Sequence, residues 1–157
     1  MSIASHLGPW LLGTVKNTTG ATAGTVRNMG ATTVAQVSPI AYTDAAGSVA
    51  DVIPAGALIT RIQVITTAAF SSAATITLSI GGTAISTASV ITTAGANAVA
   101  IAATTGAAAL VANVGSTDAI VTYTIGGTAL SSGTGVLVIE YIVRNSDGTY
   151  NPTAYTA

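Results

Sequence analysis

Ile76–Ser86 reads ITLSIGGTAIS, and Val121–Ser131 reads VTYTIGGTALS. Each stretch alternates apolar and hydroxyl residues before a Gly-Gly pair. Alternation with period two marks a strand that buries one face. A Gly-Gly pair supplies the positive φ angles of a two-residue hairpin turn. The near copies therefore predict two β-hairpins, turning at Gly81-Gly82 and at Gly126-Gly127, as equivalent elements in the two halves of a sandwich.

Strand signals continue on both sides of these copies. LITRIQVIT from Leu58 and GVLVIEYIVRN at Gly135–Asn145 are the strongest, and ANAVAIAATT from Ala96 adds another. GAAALVANV at Gly106–Val114 is alanine-rich and reads as a single short helix. Short strands with turn signals about every ten residues define an all-β chain. The expected fold is an antiparallel β-sandwich or jelly-roll-like domain of about seven or eight strands. It should span residues 46–145, with Thr43–Ala57 as a turn-rich joint at its start.

The first 45 residues differ in character. They hold the only Trp, the only His, both Met and two of the four basic residues, with glycine every few positions. This region reads as an extended N-terminal arm or β-ribbon lying on another surface. The alternative is that it supplies edge strands to the sandwich, and Thr32–Val37 is one extended piece that would do so. Within the arm, Leu7, Trp10, Leu11, Leu12 and Val15 form a dense apolar cluster. An aromatic anchor among aliphatic neighbours is the composition of a binding hot spot, so these five are the candidate partner-binding residues. Residues 146–157 form a polar C-terminal tail.

Composition narrows the function. Charged residues make up 6% of the 157, and the net charge is −1, against about 25% charged in an ordinary soluble domain. So neutral a surface offers little repulsion between copies and suits a protein packed against neighbours, with a homotrimer expected first and a dimer second. Lys16, Arg27, Arg61 and Arg144 are scattered, which argues against the basic patch that nucleic acid requires. Cysteine is absent, which excludes disulfides and thiolate metal sites. No charge occurs between Arg61 and Asp118, but the best membrane window, Val90–Val114, is broken by threonine, glycine and asparagine, and it reads as buried protein. The N-terminus shows no secretory signal pattern.

Catalytic and ligand motifs are not supported. Gly8 to Gly13 has the spacing of a phosphate loop without its lysine. Asn17-Thr18-Thr19 is a chance sequon. Asn145 to Thr149 lacks the downstream Glu of a calcium loop. Asp44, Asp51, Asp118, Glu140 and Asp147 are far apart, and His6 sits in the arm. No catalytic, cofactor or metal residue is assigned, and the chain does not read as an enzyme. The Thr-x-Thr pairs Thr75/Thr77 and Thr122/Thr124 are too few for an ice-binding array and reflect strand propensity. Glu140 is the one unexpected charge. On the last strand Leu137, Ile139 and Tyr141 should point inward, and Val138, Glu140 and Ile142 outward. This candidate interface would pair Glu140 with Arg61 or Arg144 and ask for a covering partner.

The run DVIPAGALITRIQVITTAAFSSAATITLSIGG, then VTYTIGGTA and the closing GVLVIEYIV, resembles small β-rich virion proteins of tailed bacteriophages, of the capsid decoration or cement type. The likeness covers Asp51–Val143 and is one of pattern. It implies a structural protein that binds the major capsid protein on the capsid surface and stabilises the particle. Such a protein is made in the host bacterial cytoplasm and often clusters as trimers. Two alternatives stay open: another phage component, at the head–tail junction or in a receptor-binding tail fibre, and a bacterial surface or fibre protein built by strand addition.

Overall fold

The computed structural model describes residues 33–71 and 73–143. The arm cluster Leu7, Trp10, Leu11, Leu12 and Val15, together with His6, Arg144 and the tail, lies outside the described residues. The described residues form nine strands and one helix, in chain order: β1 (Thr33–Ala41), β2 (Ser48–Ile53), β3 (Leu58–Ala68), β4 (Thr75–Ile80), β5 (Thr83–Ala84), β6 (Ser89–Val90), β7 (Gly95–Ala98), α1 (Thr105–Ala112), β8 (Ala119–Gly126) and β9 (Thr134–Ile142). The strands build two antiparallel sheets. Sheet A has the order β1-β9-β3-β7, and sheet B has β2-β8-β4-β5, with β6 also on β4.

This is the strand order of a jelly roll. Successive strands mostly cross from one sheet to the other, which forces each strand to bury one side against the opposite layer. The inward residues are aliphatic: Ile53, Ile62, Ile76, Leu78, Ile85, Ile91, Leu137 and Ile139 are all fully buried, with Val64 and Val121. Phe70 is the one phenylalanine, and it is buried as well. Strand β4 shows the alternation at its cleanest, with Ile76, Leu78 and Ile80 inward and Thr75, Thr77 and Ser79 half-buried on the other face.

Three expectations are corrected. First, β1 is a full strand of the domain, paired along its length with β9 from Thr33↔Ile142 to Ala41↔Thr134. The arm therefore does not extend to residue 45, and for this stretch the edge-strand alternative holds. Second, the supposed joint contains β2, paired with β8. Its six residues lie between Gly47 and Pro54 and read as turn because strands this short carry little periodicity. Third, the two glycine pairs are not equivalent. Gly81 (φ 56°) and Gly82 (φ 81°) close a two-residue hairpin between β4 and β5, with Ile80↔Thr83 directly opposite. Gly126 ends β8 without a positive φ, and Gly127 (φ 150°) opens a loop. That loop must carry the chain from sheet B to sheet A, so no hairpin forms.

The strand after the true hairpin is broken. Ile85 N–H donates to Leu78 O at 2.9 Å, continuing the ladder, but Leu78 N–H donates to the Ser86 side chain at 2.8 Å. A hydroxyl replaces a backbone carbonyl here and keeps a buried amide satisfied. The expected helix is present. Thr104 caps it by accepting from Ala107 N–H at 3.2 Å, as an N-cap threonine should.

On one flank the sandwich is closed by side chains. Strands β1 and β2 are the edges of their sheets, and Ser38 Oγ on β1 donates to Ala50 O on β2 at 2.9 Å. The corner between them is clamped by Asp44, whose Oδ2 accepts from Ala41 N–H and from Tyr123 O–H, both at 2.6 Å. Gly47 N–H adds a bond to Tyr123 O at 3.0 Å.

Two substitutions check this geometry by denaturant unfolding. Gly82→Val should destabilise by about 1 kcal/mol or more through backbone strain alone, since no atom lies within 4 Å of the added Cβ. Gly133→Ala should be worse, at about 2 to 4 kcal/mol. Its φ is 134°, and the new Cβ would sit 2.7 Å from Phe70 Cα, a backbone atom that cannot swing aside.

Candidate interaction faces

The described charged residues do not converge. Asp44 holds the corner, and Asp118 Oδ1 accepts from Ala55 N–H at 3.0 Å. Asp51 lies opposite Val121, on the edge strand of sheet B. Arg61 and Glu140 pair with each other. Among the described residues no group of three His, Cys, Asp or Glu is placed to hold a metal ion. No described helix is long and apolar enough to cross a membrane. What the fold displays instead is two outer sheet faces.

The outer face of sheet A follows from the registers of β1, β9, β3 and β7. Across the sheet, one row is Ala35, Glu140 and Arg61. The next is Val37, Val138, Gln63 and Ala98, and the next Pro39, Val136, Ile65 and Ala96. Ile142 and Leu58 sit side by side beyond the charged row. The expected inward set Leu137, Ile139 and Tyr141 is buried, and Val138, Glu140 and Ile142 do lie on the opposite face. One correction applies: Val138 is only 7% exposed. It stands on a central strand between Val37 and Gln63, and its neighbours cover it. The exposed apolar groups of this face are instead Val37 (61%) and Ile65 (39%).

Arg61 is the partner of Glu140. Nε and Nη2 both donate to Oε1, at 3.1 and 2.6 Å. Among the described residues Oε2 accepts no hydrogen bond and the guanidinium nitrogen Nη1 donates none, so each keeps capacity on a neutral face. An exposed pair of this kind contributes about 0 to 1 kcal/mol to stability. Its importance lies in position rather than in energy.

The outer face of sheet B is of a different kind. Thr77 lies opposite Thr124 and Ser79 opposite Thr122, giving a block of hydroxyls, with Thr122 Oγ1 donating to Ser79 O at 3.4 Å. Beside it, on β2 and β8, Val49, Val52 and Ile120 are 62%, 48% and 54% exposed. Val52 and Ile120 are direct partners across the strands. Nothing in the sequence singles these residues out. Period-two alternation marks an outward side but does not tell which outward residues become neighbours.

Two polar atoms are left over near the β1–β2 flank. Gln36 Oε1 and Asp51 Oδ2 are buried without a hydrogen-bond partner among the described residues. Burial pushes the Asp51 carboxyl above its ordinary range, opposed in part by the Ser38 hydroxyl. Burial, the hydrogen bond to Asp44 and the Asp44 charge push Tyr123 up to about 12. No protein-family model, curated protein or solved structure matches the chain.

Both shifted groups set a pH dependence. Tyr123 stays protonated longer in the folded state than in the unfolded one. Its contribution is therefore complete below about pH 10 and is lost as pH rises toward about 12. Tyr123→Phe should flatten the fall in melting temperature over that window. For Asp51 the raised folded value favours the native state in acid and penalises it as pH rises to neutrality. Asp51→Asn should gain melting temperature relative to the natural chain near neutral pH, and lose that advantage below about pH 4.

Proposed function

We propose that this chain is a structural virion protein that binds the outer surface of a bacteriophage capsid and stabilises it as a decoration protein. The observation that carries the reading is the pair of outer faces. Among the described residues they hold a single ion pair, exposed Val37, Ile65, Val49, Val52 and Ile120, and neutral hydroxyls. Such faces gain from being covered, and they bind with little dependence on salt because few charges are screened. Repeated on a lattice, many weak contacts add through multivalency. Jelly rolls recur in viral capsids and in lectins, so the fold agrees with the reading, and the faces supply its support.

In this role the chain acts without catalysis or cofactor. It is made in the host cytoplasm and ends on the capsid, in contact with the major capsid protein. The arm residues Leu7, Trp10, Leu11, Leu12 and Val15 would add an anchor. The test is reconstitution with capsids of the phage that encodes the chain, prepared without it. Cryo-electron microscopy should show saturable density at fixed lattice sites, and decorated capsids should resist heat or denaturant better than bare ones. Deleting residues 1–20 should leave the circular dichroism nearly unchanged and weaken capsid binding. Absence of capsid binding by the full chain overturns the proposal.

A further inference from the structure

We propose that the outer face of sheet A is a two-fold interface between two copies of this chain. The face is self-complementary in charge and in bulk. Consider a two-fold axis running along the strands, midway between β9 and β3 and between two facing sheets. It keeps each row level and exchanges left for right, so β9 of one copy lies over β3 of the other, and β1 over β7. Every row then meets its own reversed order, as an isologous contact requires.

The charged row matches first. Glu140 of one copy comes over Arg61 of the second, and Arg61 over Glu140. Among the described residues each face has one open acceptor, Oε2, and one open donor nitrogen, Nη1, because the existing bonds run from Nε and Nη2 to Oε1. A second copy fills both and turns one pair into a closed ring of four alternating charges. Placed face to face in any register that superposes like on like, the same groups would repel.

Bulk matches next. The β1 side of the face carries Val37 and Pro39, and the β7 side carries Ala98 and Ala96 in the same two rows. The exchange sets the large residues of one copy over the small residues of the other. Between them Val136 meets Ile65, an aliphatic pair near the axis. Aligned sheets pack about 10 Å apart with their strands crossing at about 30°, each set inclined to the axis by half of that, so the fit is closest along the axis and loosens toward the corners. Four strands of this length present roughly 500 Å² of sheet face per copy, or on the order of 1,000 Å² in total. That is the lower end for a specific interface, and it points to a reversible dimer. Self-association of this kind does not depend on capsid binding.

Sedimentation velocity on the full chain from about 1 to 100 μM is the test, with circular dichroism to verify folding. The natural chain should show a reversible monomer–dimer equilibrium. Glu140→Arg and Arg61→Glu should each weaken self-association at least tenfold, since each puts like charges together. An equimolar mixture of the two variants should recover association, because a face carrying two arginines then meets a face carrying two glutamates. Ala98→Arg, on an exposed edge strand and outside the ion pair itself, should also weaken the dimer by filling the space meant for Val37. It decides the matter if a charge variant fails to fold. A natural chain that is monomeric throughout, or trimeric, overturns the proposal. So does a mixture that associates no better than its components, or an Ala98→Arg dimer as tight as the natural one.

Discussion

The ladder on both sides of β9 is the constraint on which the sandwich depends. This last described strand sits between the first and the third, paired with β1 from Thr33 to Ala41 and with β3 from Leu58 to Ala68. Its inward residues Leu137, Ile139 and Tyr141 fill the layer between the sheets. Without it, β1 would have no partner strand and sheet A would reduce to β3 and the short β7. A two-stranded ribbon is marginal by itself. The strand with the most continuous apolar run is therefore a strand with a neighbour on each side, because only a central position satisfies both its backbone and its side chains.

Much of this is legible in the residues, and what is not has a physical reason. Alternation locates β3, β4, β8 and β9 to within a few positions, because each carries enough period-two pattern to exclude a helix. Glu140 reads as outward, with Arg61 as one of two candidate partners. Pairing between strands far apart in the chain is not legible. IGGTA occurs twice with the same residues, yet one copy turns back on itself and the other leaves its sheet. The difference lies in the next strand's destination, which is a property of topology. Strand β2 is hidden because SVADVI is short and carries a carboxylate, and β1 is read only in part, as Thr32–Val37, because its N-terminal flank is glycine-rich.

The candidate surface is legible only in part. Val138, Glu140 and Ile142 share a face, as the alternation says, but exposure there belongs to Val37 and Ile65 on the flanking strands. The patch of Val49, Val52 and Ile120 joins strands about 70 residues apart in sequence, counting from Val49 to Ile120. Register creates such a patch, and one strand's sequence does not contain it. The same limit applies to Asp51, which reads as a turn carboxylate and sits beside Ser38 at the sandwich flank.

The seam between Ser38 and Ala50 bears on how a nearly uncharged β-protein avoids becoming a fibre. Open sheet edges recruit further strands, and highly charged proteins resist this by colloidal repulsion. With a net charge of −1, this chain has no such barrier. Its protection is local and built into the edge itself. The Ser38 hydroxyl occupies the Ala50 carbonyl that an incoming strand would use, and Pro39 in the adjoining edge strand has no N–H to offer. Growth along the hydrogen-bonding direction is thereby stopped on that flank, while the broad faces stay free to meet a partner. Association is steered from polymerisation without limit toward complexes of finite size, and raising the salt concentration does not remove the safeguard.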